Sequence, residues 1–473
     1  MLARVDGGSV SMGEIHRFPN QPIKQDGTLR WNVDALWREV RQALSLAGGA
    51  PLDGIAVDTW GVDYALLTAK GALVENPYHY RDARNAPAMA AALELMPRDE
   101  IYAATGVQFL PINTIYQLFA ATRQTPDAID AATRFVMIPD LFNVWLTGEV
   151  FCEYTDASTT QLINPRTRTW ATDVMTRLNL PKRLAATIVE PGSIIGPIRD
   201  SAATGTRLGG TPIVASASHD TASAVAAITA RDGTAFISSG TWSLVGTELD
   251  APVLSPRAMQ LNFSNEGGVE GTTRLLKNVT GLWLLQGCRQ SWSRRNMQFS
   301  YAELMDAAAR EPAFRHLVDP DDPSFSNPDD MPDAIDRFCR KTEQQPPSTP
   351  GAYARAVFDS LALKYRLVIR DLQSLIERPI ARIRVIGGGS QNALLNQLTA
   401  DATGLPVVAG RSVATALGNV AVQMLATGAV ASLADARTLI DRSVPTTLFT
   451  PRDVDAWDRE AARFQQYCGL LYA

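Results

Sequence analysis

Apolar and polar positions follow changing periods along the chain, and the order of those periods predicts an α/β protein. Met1 to Val5 reads as a strand, and Gly7-Gly8 as a tight turn into a second strand, Ser9 to Phe18. Asn32, a side chain suited to capping, precedes Val33, Leu36, Trp37, Val40, Leu44 and Ala47 at helical spacing, and Gly48-Gly49 stops the run. Leu52 to Val57 is a short apolar strand that ends at Asp58-Thr59-Trp60-Gly61-Val62-Asp63, and Tyr64 to Thr68 is another. Strand, helix and strand in succession point to an α/β fold. From Pro87, well suited to the first position of a helix, to about Leu178 the pattern is mostly helical, with a loop from Gln108 to Asn113. This stretch reads as a helical elaboration rather than a separate sheet.

Thr211 to Ala217 is an apolar strand, followed by a helix over Thr221 to Ala230. A second α/β unit begins near residue 230. Thr234 to Ser238 is a strand, Ser239-Gly240-Thr241 a tight turn and Trp242 to Leu249 a returning strand. Met259 to Phe263 and Gly271 to Leu276 read as further strands on either side of Glu266-Gly267-Gly268. Pro and Asp crowd residues 319–333, which predicts a surface excursion. Ala354 to Ile376 has long helical periodicity, and Ile383 to Ile386 is a strand running into Gly387-Gly388-Gly389-Ser390. Two α/β halves that each open with a hairpin predict a duplicated domain, divided into residues 1–230 and 231–473.

Composition narrows the function classes. A chain of 473 residues is long enough for two to four domains with their own cores. With 44 basic and 49 acidic residues, a net charge of −5 and no basic run, neither nucleic acid nor an anionic membrane is an expected partner. No run of 18 uncharged apolar residues offers a membrane span, and the first residues lack the apolar core of a signal peptide, so a cytoplasmic protein is expected. Cys152, Cys288, Cys339 and Cys468 have no C-x-x-C spacing, and His16, His79, His219 and His316 are equally dispersed, which predicts no His/Cys metal site.

Several short runs carry candidate chemistry. No G-x-x-x-x-G-K-[ST] occurs, so the chain has no P-loop. Gly387-Gly388-Gly389-Ser390-Gln391-Asn392 lies between a strand and a helix, but Asn392 stands where a dinucleotide fingerprint needs its third glycine, and no acidic residue follows about 20 positions on. What remains is a turn whose N–H groups face a nucleotide or another anion, or a purely structural turn. Ser239-Gly240-Thr241 is a second turn of that kind. His219-Asp220-Thr221 follows a strand at the junction of the halves; Asp220 is either a base that accepts a sugar hydroxyl proton or the N-cap of the next helix. Asp58 to Asp63 offers polar groups, a flat aromatic ring and a glycine for close approach to a sugar, or else a β-turn with a core Trp. Tyr80-Arg81-Asp82 with Arg84 is a polyol-contacting loop or a solvated charged turn, and Cys288 near Trp283 reads as a core residue.

Taken together, these runs resemble the FGGY carbohydrate kinases. The likeness is carried by Asp58 to Asp63, Tyr80 to Arg84, Gln108 to Asn113 with Tyr116-Gln117-Leu118, Glu153-Tyr154-Thr155 through Leu162, Ser218 to Ser223, Ser238 to Ser243, and Gly387 to Asn392 through Gln397. It spans essentially the whole chain, and the D-T-W-G-V-D and S-H-D-T-A-S runs single out those members that phosphorylate L-rhamnulose. The resemblance implies two actin-like, ribonuclease-H-like ATPase domains around a central cleft, the first binding sugar and the second nucleotide. It implies ATP and Mg2+ as cofactors and a ketose, L-rhamnulose, as substrate, and leaves the choice between monomer and dimer open. By motif, Asp220 would be the general base, Gly61, His219, Thr221 and Asn278 would contact the sugar, and Thr241, Gln286 and Gly388 would line the ATP site. Metal ligands in this chain are left unassigned, although in the family the Asp of a first phosphate turn helps position the metal. Family members begin with a strand and a D-x-G-x-S-type phosphate turn, whereas Met1 to Arg4 matches the strand after it, so this first strand and loop are expected to be missing. A non-catalytic, sugar-binding descendant of the family is the alternative expectation.

Overall fold

A computed structural model describes residues 1–6 and 8–469. Gly7, half of the predicted Gly7-Gly8 turn, lies outside the described residues; the strands Leu2–Asp6 and Ser9–Gly13 on either side of it pair antiparallel. The second strand ends at Gly13, short of the predicted Phe18. The chain divides into two compact units: Met1–Thr229 with Glu248–Leu275 and Ala414–Val444, and Ala230–Thr247 with Leu276–Val413 and the residues from Pro445 onward.

In the first unit, helix Val33–Ala47 begins where the sequence predicts: the Asn32 side chain accepts the Ala35 N–H at 3.1 Å, Gly48 follows the last turn, and Val33, Leu36 and Leu44 are buried. The strand expected over residues 52–57 contracts to Ile55–Ala56, which pairs parallel with Pro212–Ala215; that strand pairs antiparallel with Ser193–Pro197. Pro87 is the third rather than the first residue of helix Asn85–Leu95, where its missing N–H still leaves no helical bond unmade. The stretch 87–178 is not purely helical. Arg134–Met137 pairs antiparallel with Tyr64–Leu67 because Phe135, Val136 and Met137 are buried together, and Pro139 then opens the helix Ile138–Thr147. Met259 to Phe263 is not a strand either. The Ser255 hydroxyl accepts the Ala258 N–H at 3.1 Å and Pro256 takes a first-turn position, so Pro256–Gln260 is a short capped helix.

The second unit is built on a mixed sheet with parallel strands at its centre. Thr234–Ser239 pairs antiparallel with Trp242–Leu249 and parallel with Arg382–Ile386, which pairs parallel with Val407–Gly410; Thr446–Phe449 lies antiparallel beyond it. Ala235, Phe236, Ile237, Ile383, Val385 and Ile386 are buried, as expected of strands covered on both faces. Helix Pro350–Ile376 starts four residues before the predicted Ala354 because Thr349 caps it, accepting from the Ala352 N–H at 3.0 Å. The acidic stretch 319–333 is not simply a surface excursion: Asp319, Asp322 and Phe325 are buried. Lys364, on the long helix, lies 2.8 Å from Asp319 Oδ1 and 2.9 Å from Asp321 Oδ2. A buried ammonium needs carboxylates around it, and the acidic run supplies them.

Candidate active site

Strand Pro212–Ala215 leads through Ser216–Ser218 into helix Asp220–Ala226. His219 occupies the N-cap position with no side-chain capping bond, and Asp220 is the first helical residue, its side chain 46% exposed. This overturns the N-cap alternative for Asp220. Its Oδ1 instead accepts the Thr221 hydroxyl at 3.1 Å and lies 3.4 Å from His219 Nε2. The run from Asp58 to Asp63 is stitched to this corner: the Thr59 N–H donates to the Ser218 carbonyl at 2.9 Å, and the Asp220 N–H to the Thr59 carbonyl at 2.8 Å. Gly61, His219, Asp220 and Thr221, four of the predicted site residues, therefore belong to one assembly.

Beside Gly61 the backbone is strained. Val62 has φ +67°, unfavourable for a β-branched residue, and the Asp63 N–H bonds back to the Gly61 carbonyl at 2.9 Å in a three-residue turn. Such a conformation costs on the order of 1–3 kcal/mol and needs neighbours that impose it. Thr159 Oγ1 accepts the Val62 N–H at 2.9 Å, while the Thr114 hydroxyl and the Gln117 amide donate to the Val62 carbonyl at 2.6 and 3.2 Å. A side chain at Gly61 would stand 3.0 Å from Thr159 and 3.3 Å from Asp156 Oδ1.

A buried polar network holds the Asp220 corner. Glu153 accepts the Thr155 N–H (2.8 Å) and hydroxyl (2.6 Å), the Asp156 N–H (3.2 Å), and the Ser218 N–H (3.1 Å) and hydroxyl (2.6 Å). Burial raises the Glu153 carboxyl in spite of these donors. Asp140 and Asp156 are pushed well above the usual carboxylate range, first by burial and then by neighbouring carboxylates, Glu153 beside Asp140, and Asp140, Glu153 and Asp220 beside Asp156. Asp58 is raised to about 6 by burial, with the Asn419 amide, 2.6 Å from Oδ2, opposing and the charge of Asp220 adding. On the other side, Arg274 is fully buried: Nε donates to the Gly267 carbonyl at 2.8 Å, and Nη2 lies 3.3 Å from His219 Nδ1 and 3.2 Å from Glu266 Oε2. Gly418 lets helix Ala414–Ala426 seat against helix Asp220–Ala226, since a Cβ there would fall 1.6 Å from the Ser223 carbonyl oxygen.

The aromatic and charged parts of the neighbouring runs are structural. Asp63 is fully buried and accepts the indole N–H groups of Trp31 (2.6 Å) and Trp60 (3.0 Å) and the Gln117 amide (2.9 Å). Burial pushes its carboxyl up to about 6. Trp60, partly buried, packs tilted at 39° against Trp31 with 4.3 Å between centroids, as the packed-Trp alternative expects. The Tyr80 to Arg84 loop is no solvated turn: Asp82 accepts the Leu29 and Arg84 N–H groups at 2.7 and 3.0 Å, and the buried Arg84 guanidinium lies 3.0 Å from the centre of the Tyr78 ring.

In the second unit the two candidate phosphate turns abut at the carboxyl ends of neighbouring parallel strands, where α/β sheets bind ligands. Gly387 has φ +80°, and a side chain on it would stand 2.9 Å from the Ser239 carbonyl. One on Gly389 would stand 2.0 Å from the Ser239 hydroxyl, whereas Gly388 faces open space. The Thr241 hydroxyl donates to Gln286 Oε1 at 3.1 Å, so two predicted ATP-site residues touch, Gln286 lying on helix Trp283–Arg294. The N–H groups at the start of that helix dock on the same turn: Leu282 donates to the Gly240 carbonyl at 2.9 Å, and Gly281 and Trp283 to that of Thr241 at 3.1 and 3.2 Å. Bare glycine, small hydroxyl groups and open space suit a nucleotide phosphate. Asn278 lies, partly exposed, on strand Thr273–Thr280, whose residues from Leu276 onward belong to this unit. Cys288 is buried in helix Trp283–Arg294, as expected of a core residue.

Glu153, Glu266, Arg274 and Asn419 carry no assigned role in the sequence reading, yet they position the corner. The available signal was a charge set inside apolar sequence, Phe151-Cys152-Glu153-Tyr154 and Arg274-Leu275-Leu276, where full burial of an ion demands a partner. Among the described residues no cluster of three or more His, Cys, Asp or Glu side chains is arranged to hold a metal ion, and no helix is long and apolar enough to cross a membrane.

Comparison with known proteins places this geometry in context. Residues 10–227 match the N-terminal domain, and residues 235–427 the C-terminal domain, of the FGGY family of carbohydrate kinases. The chain is 44% identical over 461 residues to a rhamnulokinase of Bacteroides thetaiotaomicron, covering 97% of this chain and 94% of the relative. It is also 44% identical to a rhamnulokinase of Pectobacterium atrosepticum, with 96% and 91% covered. Among solved structures, a xylulose kinase from Rhodospirillum rubrum superposes with a TM-score of 0.77 at 20% identity, covering 96% of this chain and 93% of that one.

Proposed function

The chain belongs to the FGGY family of carbohydrate kinases, with that family's two-domain actin-like fold, and from this premise we propose that it phosphorylates L-rhamnulose to L-rhamnulose 1-phosphate in L-rhamnose catabolism. That it is an ATP-using carbohydrate kinase follows from the family. The choice of sugar is supported by the rhamnulokinases that it resembles over nearly its whole length. The observation that carries the chemistry is the carboxylate of Asp220: half-exposed, at the start of the helix that follows a strand, not spent on capping, and among the described residues bonded on Oδ1 only.

In this reading Asp220 Oδ2 takes the proton of the sugar 1-hydroxyl while Thr221 and His219 hold Oδ1. A positioned base contributes about 10²–10⁴-fold to rate. Gly61 lets the strained Val62 turn close against Thr159 and Asp156 and would offer its backbone to the sugar, and Asn278 is a further sugar contact. Thr241, Gln286 and Gly388 hold ATP, the backbone N–H groups of the two turns facing its phosphates. When bound, ATP supplies the electrophilic γ-phosphoryl group. Mg2+ would accompany the nucleotide and offset the charge of its phosphates, and its protein ligands are left unassigned. The four cysteines are free thiols, which fits a cytoplasmic enzyme.

Coupled ADP release with L-rhamnulose tests the assignment. Turnover is expected with the native chain, falling about 10²–10⁴-fold in Asp220→Asn with little change in Tm. Native turnover no higher than that of the variant overturns the reading, and sugar-induced thermal stabilisation without turnover would identify a binding protein instead.

A further inference from the structure

Arg274 has no exposure to solvent, and a buried ion pair is a weak stabiliser because desolvation offsets the attraction between the ions. Its Nη1 makes no hydrogen bond among the described residues, which adds to the cost of burying it. What the guanidinium does touch is the ring next to the catalytic carboxylate. Nη2 is 3.3 Å from His219 Nδ1, and on the far side of the ring Nε2 is 3.4 Å from Asp220 Oδ1. Glu266 Oε2 also faces Nδ1, at 3.5 Å, and is itself 3.2 Å from Arg274 Nη2.

A guanidinium only donates hydrogen bonds, so its approach to Nδ1 requires a lone pair there. A neutral imidazole with a lone pair on Nδ1 carries its proton on Nε2, pointing at Asp220. Glu266 alone would favour the opposite: its carboxylate facing Nδ1 would draw a proton to that nitrogen and, with Asp220 on the other side, leave the ring doubly protonated. Resting on the reading of Asp220 as the base, we propose that Arg274 is a positioning residue that fixes the Nε2–H tautomer of His219, with Glu266 anchoring the guanidinium. Asp220 Oδ1 then accepts a neutral N–H donor and a hydroxyl, and Oδ2 is left to receive the substrate proton. An imidazolium in that place would stabilise the carboxylate and weaken it as a base.

The other charged groups around the set are named by their neighbours. Glu266, Glu153, Glu248 and Asp220 act on Arg274, and Asp220 acts on Asp58 and Asp156. Burial raises the Glu266 carboxyl, and the Arg274 charge, with the Ser264 hydroxyl, draws it back below the usual range, so it stays an anion and needs the arginine beside it.

The test combines 15N imidazole spectra, readable in a chain with four histidines, with the pH profile of kcat/KM for L-rhamnulose. In the native protein at pH 8 the His219 ring is expected as the Nε2–H tautomer. Arg274→Met leaves Glu266 facing Nδ1; the tautomer signature is lost, and the ring, now between two carboxylates, must shed its second proton before Asp220 can act as a base, so the acid limb of kcat/KM moves up by about one pH unit while KM for ATP is unchanged. Glu266→Gln and Arg274→Lys each keep a cationic donor near Nδ1, so the tautomer persists and the acid limb does not move up. A native spectrum showing Nδ1–H or a doubly protonated ring at pH 8 overturns the proposal without any variant, as does an acid limb that moves the same way in Arg274→Met and Glu266→Gln. If Arg274→Met does not fold, the native, Arg274→Lys and Glu266→Gln spectra decide. Full activity in Asp220→Asn would sink the assignment of the base, while the tautomer is still read from the spectrum.

Discussion

The Asp220 corner and the paired turns around Thr241 and Gly388 use opposite materials for the two halves of one reaction. The first is made of charge: Glu153, Asp156, Arg274, Glu266 and His219 surround the reactive carboxylate and are almost all buried. The second is made of backbone and bare space, with glycines, small hydroxyl groups and one amide, and no ionised side chain in either turn. The difference follows from the tasks. Moving a proton needs a carboxylate with a fixed environment, and buried polar groups that hold one another in place fix one. Holding phosphates needs N–H groups and room, and any charge built into the turn would have to be desolvated again when the nucleotide left.

If that contrast is right, the largest effect comes from removing a charge that touches no substrate. Glu153 gathers five donors from Thr155, Asp156 and Ser218, and Ser218 is the strand end next to His219 and Asp220. Glu153→Gln turns an –NH2 group toward N–H and O–H donors, so both the fold and the corner suffer. A loss of about 3–5 kcal/mol is expected from the urea midpoint, with a fall in kcat that exceeds any change in KM for ATP. Unchanged kcat in a folded variant would break the comparison, since the corner would then not depend on its buried charge.

Next in size is a pH effect confined to the charged side. Asp63 titrates at about 6 in the folded chain and near 3.8 when unfolded. Between those values the folded state binds a proton that the unfolded state does not, so this group's contribution to stability falls as pH rises from about 4 to about 6, by about 3 kcal/mol in all. Asp63→Asn should remove that part of the slope in denaturation curves taken across the window. A slope identical to that of the native chain would mean that the carboxyl is not held in its protonated form.

The two regions also differ in how much of them the sequence discloses. The nucleotide turns are local: Ser239-Gly240-Thr241 and Gly387-Gly388-Gly389 are each contiguous, and the strand, turn and helix around them fall close to where periodicity puts them. The Asp220 corner is assembled from segments far apart in the chain. Asp220 and Gly61 are legible as motif residues, but Glu153 reaches Ser218 across 65 positions and Arg274 reaches His219 across 55, and no local pattern encodes such pairings. The same limit explains the misread elements. Pro256–Gln260 has too few residues to show a period, so its Ser255 cap decides it, and the acidic 319–333 stretch turns inward because Lys364, on a distant helix, needs its carboxylates.

The smallest predicted effect separates room from rigidity inside the glycine turn. Gly389 has no space for a side chain, because a Cβ would fall 2.0 Å from the Ser239 hydroxyl and 2.7 Å from its Cβ; Gly388 meets nothing within 4 Å. Gly389→Ala is therefore expected to lower stability by about 1–3 kcal/mol as the turn against Ser239 is forced apart, whatever it does to binding. Gly388→Ala should leave stability within about 0.5 kcal/mol and raise KM for ATP several-fold while KM for the sugar stays put, because the methyl group occupies only the space intended for the nucleotide. Denaturation midpoints and the two KM values, measured on both variants, distinguish the cases. An unchanged KM for ATP in Gly388→Ala would show that the open side of the turn does not face the nucleotide, and the phosphate cradle would then have to be sought in the N–H groups around Thr241 alone.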